Sequence, residues 1–131
     1  VEFNTDKTLE YTGYPNELSQ AILNILNNAK DTLNYKEVEN KVIKIDLFTD
    51  NKKVYILIGD NAGGVPNEIK SKIFDPYFTT KHQSQGTGLG LYMSSKIITE
   101  KFAGELLCED CTMEINNVKF DGALFKIVLA A

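Results

Sequence analysis

The longest regular pattern in the chain runs from about Pro15 to Tyr35. Leu18, Ala21, Ile22, Ile25, Leu26, Ala29 and Leu33 recur there at three- and four-residue spacing, which gathers them on one face of an α-helix. Pro15 suits the first turn, where its missing N–H has no partner to lose. At roughly 100° per residue, Glu17, Gln20, Asn24, Asn28 and Asp31 form a polar stripe bordering that apolar face. Taken alone, the stripe reads as the solvated flank of a surface helix.

A second pattern has a period of two. Lys41 to Asp50 and Lys53 to Asp60 flank Asn51-Lys52 and read as a β-hairpin. In the second run Val54, Ile56 and Ile58 share one face while Tyr55 and Leu57 share the other, so both faces are apolar and a central strand is predicted. That strand ends at Asp60. Weaker alternation over residues 1–12 predicts one or two short edge strands. After Pro66 the pattern predicts a short helix over Asn67 to Phe74, then a loop of about twelve residues and a helix over Gly88 to Phe102. Strands follow over Gly104 to Glu109 and Ala123 to Ala130, with residues 110–122 open to a further short hairpin. These elements predict an α/β fold, a two-layer sandwich of a mixed, largely antiparallel sheet with three helices on one face.

At 131 residues the chain is expected to be one domain, and its opening at Val1 rather than Met reads as a piece of something longer. Composition narrows the chemistry. No apolar run approaches the length of a membrane span, and no signal-peptide pattern opens the chain. All fourteen basic residues are lysine and the net charge is −4, which argues against a nucleic-acid footprint. A bound polyanion must therefore be held locally, by backbone amides, a metal ion or one well-placed lysine. Cys108 and Cys111, spaced C-E-D-C, lack the further ligands of a zinc site, and the only histidine is the distant His82. They read as two reduced thiols in or beside a strand.

Four segments remain. They are NILNNA on the first helix, DNAGGV after the central strand, FDPYFTTK, and GTGLGL from Gly86 to Leu91. The alternating glycines are followed by no GKS or GKT, and no strand precedes them, so neither a Walker loop nor a dinucleotide fold explains them. Asp60 alone is an ordinary turn-forming residue. Phe74 and Phe78 are core by base rates, and Lys81 is one solvated lysine among fourteen.

In order and spacing, however, the four segments closely resemble the N, G1, F and G2 boxes of the sensor histidine kinase ATP-binding domain. That domain shares a superfamily and the Bergerat-type fold with gyrase B and MutL. The resemblance covers about Tyr14 to Leu129 and implies ATP and Mg²⁺ as ligands, with Asn28 completing a magnesium shell of phosphate and water oxygens. It implies that Asp60 accepts a hydrogen bond from the adenine 6-amino group, which guanine lacks. In the family pattern D-x-G-x-G, Ala62 stands at the first glycine, and Gly63 and Gly64 supply the turn. Phe74 and Phe78 resemble the residues anchoring a mobile lid, and Lys81 at the lid base is the candidate cation for the γ-phosphate.

The same resemblance has Gly86, Gly88 and Gly90 fold the lid so that amides of Thr87 to Leu91 face the triphosphate, beside a helix N-terminus. It also implies nucleotide contacts from Asp31, Gly64, Val65, Thr80, Leu89 and Phe125. Asn24 is the expected catalytic neighbour, with Lys81. Related ATPases and anti-sigma serine kinases carry a Glu there as a base, whereas a neutral histidine nitrogen needs no deprotonation before attack. His82 is not the phosphate acceptor, which in the family sits on a separate dimerisation domain, so that domain and, indirectly, a response regulator are the implied partners. The implied location is cytoplasmic, with or without a membrane-anchored parent. An anti-sigma-type serine kinase and a non-catalytic nucleotide-binding module are the alternatives.

Overall fold

The computed structural model describes residues 2–5, 13–76, 89–115 and 117–130. In chain order it contains β1 (Glu2–Thr5), α1 (Pro15–Tyr35), β2 (Ile43–Asp50), β3 (Lys53–Asp60) and α2 (Asn67–Lys70). These are followed by α3 (Gly90–Lys96), continued by a π-helical turn over Ile97–Lys101, and by β4 (Glu105–Ile115) and β5 (Val118–Ala130). The strands make one sheet ordered β1-β2-β3-β5-β4. All neighbours are antiparallel except β1, which runs parallel to β2 at the edge. The predicted sandwich is the observed one, and β3 is its central strand.

The α1 pattern does what its spacing requires. Ala21, Ile25, Ala29 and Leu33 are its buried residues, four apart, and Ala21 and Ile25 share one core with Val54, Ile56 and Ile58 of β3 and Phe125, Ile127 and Leu129 of β5. Each large aliphatic side chain buried there stabilises the fold by about 1.5–3 kcal/mol. The helix α3 packs on α1, where the fully buried Ser94 donates its hydroxyl to the Ala21 carbonyl at 2.8 Å. The helices therefore cover one sheet face.

Two turns explain themselves. Asn51 and Lys52 have φ of 50° and 61°, the two left-handed residues of a type I′ hairpin turn that matches strand twist. At the end of α1, Glu37 takes φ of 53°, with Val38 N–H donating to Leu33 O and Glu37 N–H to Asn34 O, both at 3.2 Å. This is the Schellman closure, which satisfies the last carbonyls of the helix.

Three predicted boundaries are corrected. Residues 110–122 hold no separate hairpin; β4 and β5 pair continuously from Glu105↔Val128 to Ile115↔Val118. Pairing with β3 stops at Gly59↔Leu124, so the outer half is a two-stranded ribbon with Thr112, Glu114, Val118 and Lys119 exposed. Lacking a core to face, it lacks the alternation that marked the inner half. The helix after Pro66 is a single turn, Asn67–Lys70, and successive turns (Lys72 N–H to Ile69 O, Asp75 N–H to Lys72 O) carry Ile73 and Phe74 to the core. The predicted helix over Gly88 to Phe102 begins at Gly90 within the described residues and widens to π geometry before Phe102. Its end is fixed at Gly104, where a Cβ would meet the Val128 carbonyl oxygen at 2.5 Å.

Candidate functional site

Asp60 closes β3 on the helix-covered face, beside Ala123 of β5. It is 3% exposed, and both hydrogen bonds of its carboxylate within the described residues fall on one oxygen. Oδ1 accepts from Ala62 N–H at 3.0 Å and, more loosely, from Ala123 N–H at 3.5 Å. Oδ2 accepts neither of these bonds. Burial pushes the Asp60 carboxyl above the ordinary carboxylate range, and the two N–H groups and the Lys36 cation counter it only in part.

The turn that follows is held from three elements. Gly63 and Gly64 take φ of 96° and 79°, a conformation that favours glycine. Ala62 is not among the left-handed residues, so an alanine at the first glycine of the D-x-G-x-G pattern is accommodated without strain. Lys36, at the C-cap of α1, donates to Ala62 O at 2.7 Å. Gly63 N–H donates to Asp121 O at 3.0 Å. Val65 N–H donates to the Asp110 carboxylate, which Lys70 also pairs at 2.8 Å, and both hold that carboxyl below its usual range.

Sequence reasoning missed Asn61, taken only as the neighbour of a turn-forming Asp. Its side chain is buried, with Oδ1 accepting from Val42 N–H at 3.0 Å and Nδ2 donating to Asn40 O at 2.6 Å. It ties the end of β3 to the start of β2. Its partners are backbone groups 19 and 21 residues away, so no local spacing marks it. Asn61→Ala leaves both groups unpaired and is expected to cost about 1–3 kcal/mol. A denaturant midpoint equal to wild type would remove this role.

On α1, Asn24, Asn28 and Asp31 are half-buried along the flank predicted for them. Asn24 Oδ1 accepts from Gln20 Nε2 at 2.9 Å. The N-terminus of α3 comes alongside, since a Cβ built on Gly90 would lie 3.9 Å from Asn24 Cβ. Two of the four sequence segments, on α1 and at the start of α3, are thereby brought into contact. Leu89 precedes Gly90 as the N-cap, and Leu91 and Val65 pack against the core from opposite ends of the chain segment between them. Phe125 is 2% exposed, with Phe74 edge-on to it at 6.3 Å and 80°. It is a core side chain rather than an open wall. Phe78, Thr80, Lys81, Gly86, Thr87 and Gly88 lie outside the described residues, as does His82.

Cys108 and Cys111 are free thiols on β4, and three residues apart on one strand they point to opposite faces. Burial pushes Cys108 up to about 11, so it stays a thiol near neutrality. A hollow of about 540 Å³ borders Lys36, Gly63 to Pro66, Cys111 and Asp121. Neither Asp60 nor Asn28 lines it. Among the described residues no group of three or more His, Cys, Asp or Glu has metal-binding geometry, and no helix is long and apolar enough to cross a membrane.

A sheet covered by helices on one face, a buried carboxylate ending its central strand before a glycine turn, and asparagines on the flanking helix define an ATP-binding domain of the histidine kinase type. Residues 13–129 match the family described as histidine kinase-, DNA gyrase B-, and HSP90-like ATPase, and the chain belongs to it. Among curated relatives it is 42% identical over 82 residues to the signal transduction histidine-protein kinase AtoS of Escherichia coli (strain K12), covering 62% of this chain and 12% of AtoS. Among solved structures it is similar to the catalytic domain of histidine kinase ThkA in a nucleotide-free form, with TM-score 0.76 and 32% identity over 98% of this chain and 76% of that one. It is also similar to ThkA in complex with the response regulator protein TrrA, with TM-score 0.73 and 26% identity over 97% of this chain and 32% of that one. The chain spans between 10% and 22% of the length of the curated relatives it matches.

Proposed function

We propose that the chain is the catalytic domain of a two-component sensor histidine kinase, which binds Mg-ATP and passes the γ-phosphate to a histidine on a separate dimerisation domain. The observation that carries this reading is Asp60. A buried carboxylate whose backbone bonds both fall on one oxygen keeps the other as an acceptor, and the adenine 6-amino group is a matching donor. Phe125, in the core two residues along β5 from Ala123, and Phe74 against it make the apolar surroundings proposed for the purine.

Asn28 has no side-chain partner among the described residues, so its amide oxygen is available to a magnesium ion that keeps most of its waters. When bound, that ion would neutralise charge on the β- and γ-phosphates. Asn24, whose oxygen is engaged by Gln20, offers N–H donors and no base. That suits transfer to a neutral imidazole, which already has its lone pair, and disfavours activation of water. Lys81, Thr80 and the Gly86 to Leu91 amides are the proposed phosphate contacts, with Phe78, Asp31, Gly64 and Val65 lining the rest. A response regulator is the proposed downstream partner, as TrrA is for ThkA, and the proposed location is the cytoplasm.

Replacing Asn28 with Ala is expected to bring ATP affinity in magnesium down to the metal-free level. Calorimetry with and without the ion checks it, and a metal-dependent gain as large as wild type would count against the assignment. The reading as a whole is tested by supplying γ-labelled Mg-ATP and a histidine-bearing helical domain. Acid-labile, base-stable phosphate on that domain is expected; acid-stable phosphate on serine, or no transfer, would overturn it.

A further inference from the structure

We infer that Lys36 is a positioning residue for adenine recognition, holding the Asp60 carboxylate in place through the single residue Ala62. The inference rests on the reading of Asp60 as the adenine acceptor. Ala62 is bound at both ends: its carbonyl accepts from Lys36 Nζ at 2.7 Å, and its N–H donates to Asp60 Oδ1 at 3.0 Å. Ala62 is 4% exposed, and a charge-assisted bond to its carbonyl is among the stronger kinds. Asp60 has only one other donor on Oδ1, the longer Ala123 contact. The Ala62 bond therefore sets which carboxylate oxygen stays free.

The lysine's backbone is fixed from behind. It is the C-cap of α1, held in the closure through Glu37 and Val38. Gly63 lies against it as well, since a Cβ there would sit 3.5 Å from Nζ. The helix that carries Asn24 and Asn28 is thereby coupled to the turn that carries Asp60. One rigid element sets both the phosphate end and the base end of the proposed site.

The test is calorimetry of wild type, Lys36→Met and Lys36→Arg with ATP and with GTP, alongside a thermal melt of each. Lys36→Met is expected to bind ATP roughly tenfold more weakly with GTP affinity unchanged, so that base discrimination falls by the same factor. Lys36→Arg, which keeps a charged donor, is expected to restore most of the discrimination. If Lys36→Met melts earlier yet keeps the wild-type ATP-to-GTP ratio, the lysine is merely structural and the inference is overturned. Should Lys36→Met fail to fold, a Lys36→Arg variant with the discrimination lost would overturn it equally. A wild-type chain without preference for ATP would instead sink the reading of Asp60, and the inference with it.

Discussion

Asp60→Asn is expected to weaken ATP binding by about a hundredfold or more, while GTP affinity stays where it was. The change is small in volume and large in chemistry. Asparagine keeps one oxygen for the Ala62 and Ala123 N–H groups, but the second oxygen becomes an NH₂, a donor set against the donor of adenine. The same substitution is expected to leave the nucleotide-free domain as stable or more so. Burial holds the Asp60 carboxyl above its ordinary 3.8, so ionising it in the fold costs stability. That cost is absent below the ordinary value and is complete once pH has risen through the folded pKa. Asn removes it, so any gain should appear at higher pH and vanish in acid. Calorimetry with both nucleotides and melts across pH check the two halves, and equal ATP affinity in mutant and wild type would contradict the first.

Gly122→Ala is the most damaging single methyl group expected in the described chain. A Cβ there would collide with Asp60 O and stand 2.7 Å from Asp60 C and 3.2 Å from Asn61 Cα. All three are backbone, so no flexible side chain can yield. The strands must separate where β5 passes the end of β3, which costs on the order of 3 kcal/mol or more. For a domain of this size that is a fall in Tm of roughly ten degrees. Binding should be lost even below the melt, because Asp60 moves with its carbonyl. Gly90→Ala is the control: its Cβ would meet Asn24 Cβ at an ordinary 3.9 Å, and little change in Tm is expected. If the two variants melt together, the close approach at Gly122 does not govern stability.

The glycines also mark what the sequence could and could not reveal. Gly63 and Gly64 stood out because they follow a strand-ending Asp, and their left-handed φ bears out a turn. Gly122 sat in the stretch without clear pattern, and its necessity arises from a strand far away in the chain. Asn61 and Lys36 were hidden for the same reason, since their partners are backbone atoms brought close only by the sheet. Helix α1 and the β2–β3 hairpin were legible because their periodicity is local and one face of each meets the core. The ribbon formed by the outer halves of β4 and β5 was not, since strands without a core to face carry no alternation. Asp60 stood out only with the DNAGGV segment that follows it, through the resemblance; its place at the end of a run apolar on both faces is what the fold bears out.

The account turns on where a purine sits. The structure of the chain with magnesium and a non-hydrolysable ATP analogue tests this most directly. The adenine amino group is expected within hydrogen-bond distance of Asp60 Oδ2, near Phe125, with the metal beside Asn28. A purine bound anywhere else, including the hollow beside Gly64, would contradict it.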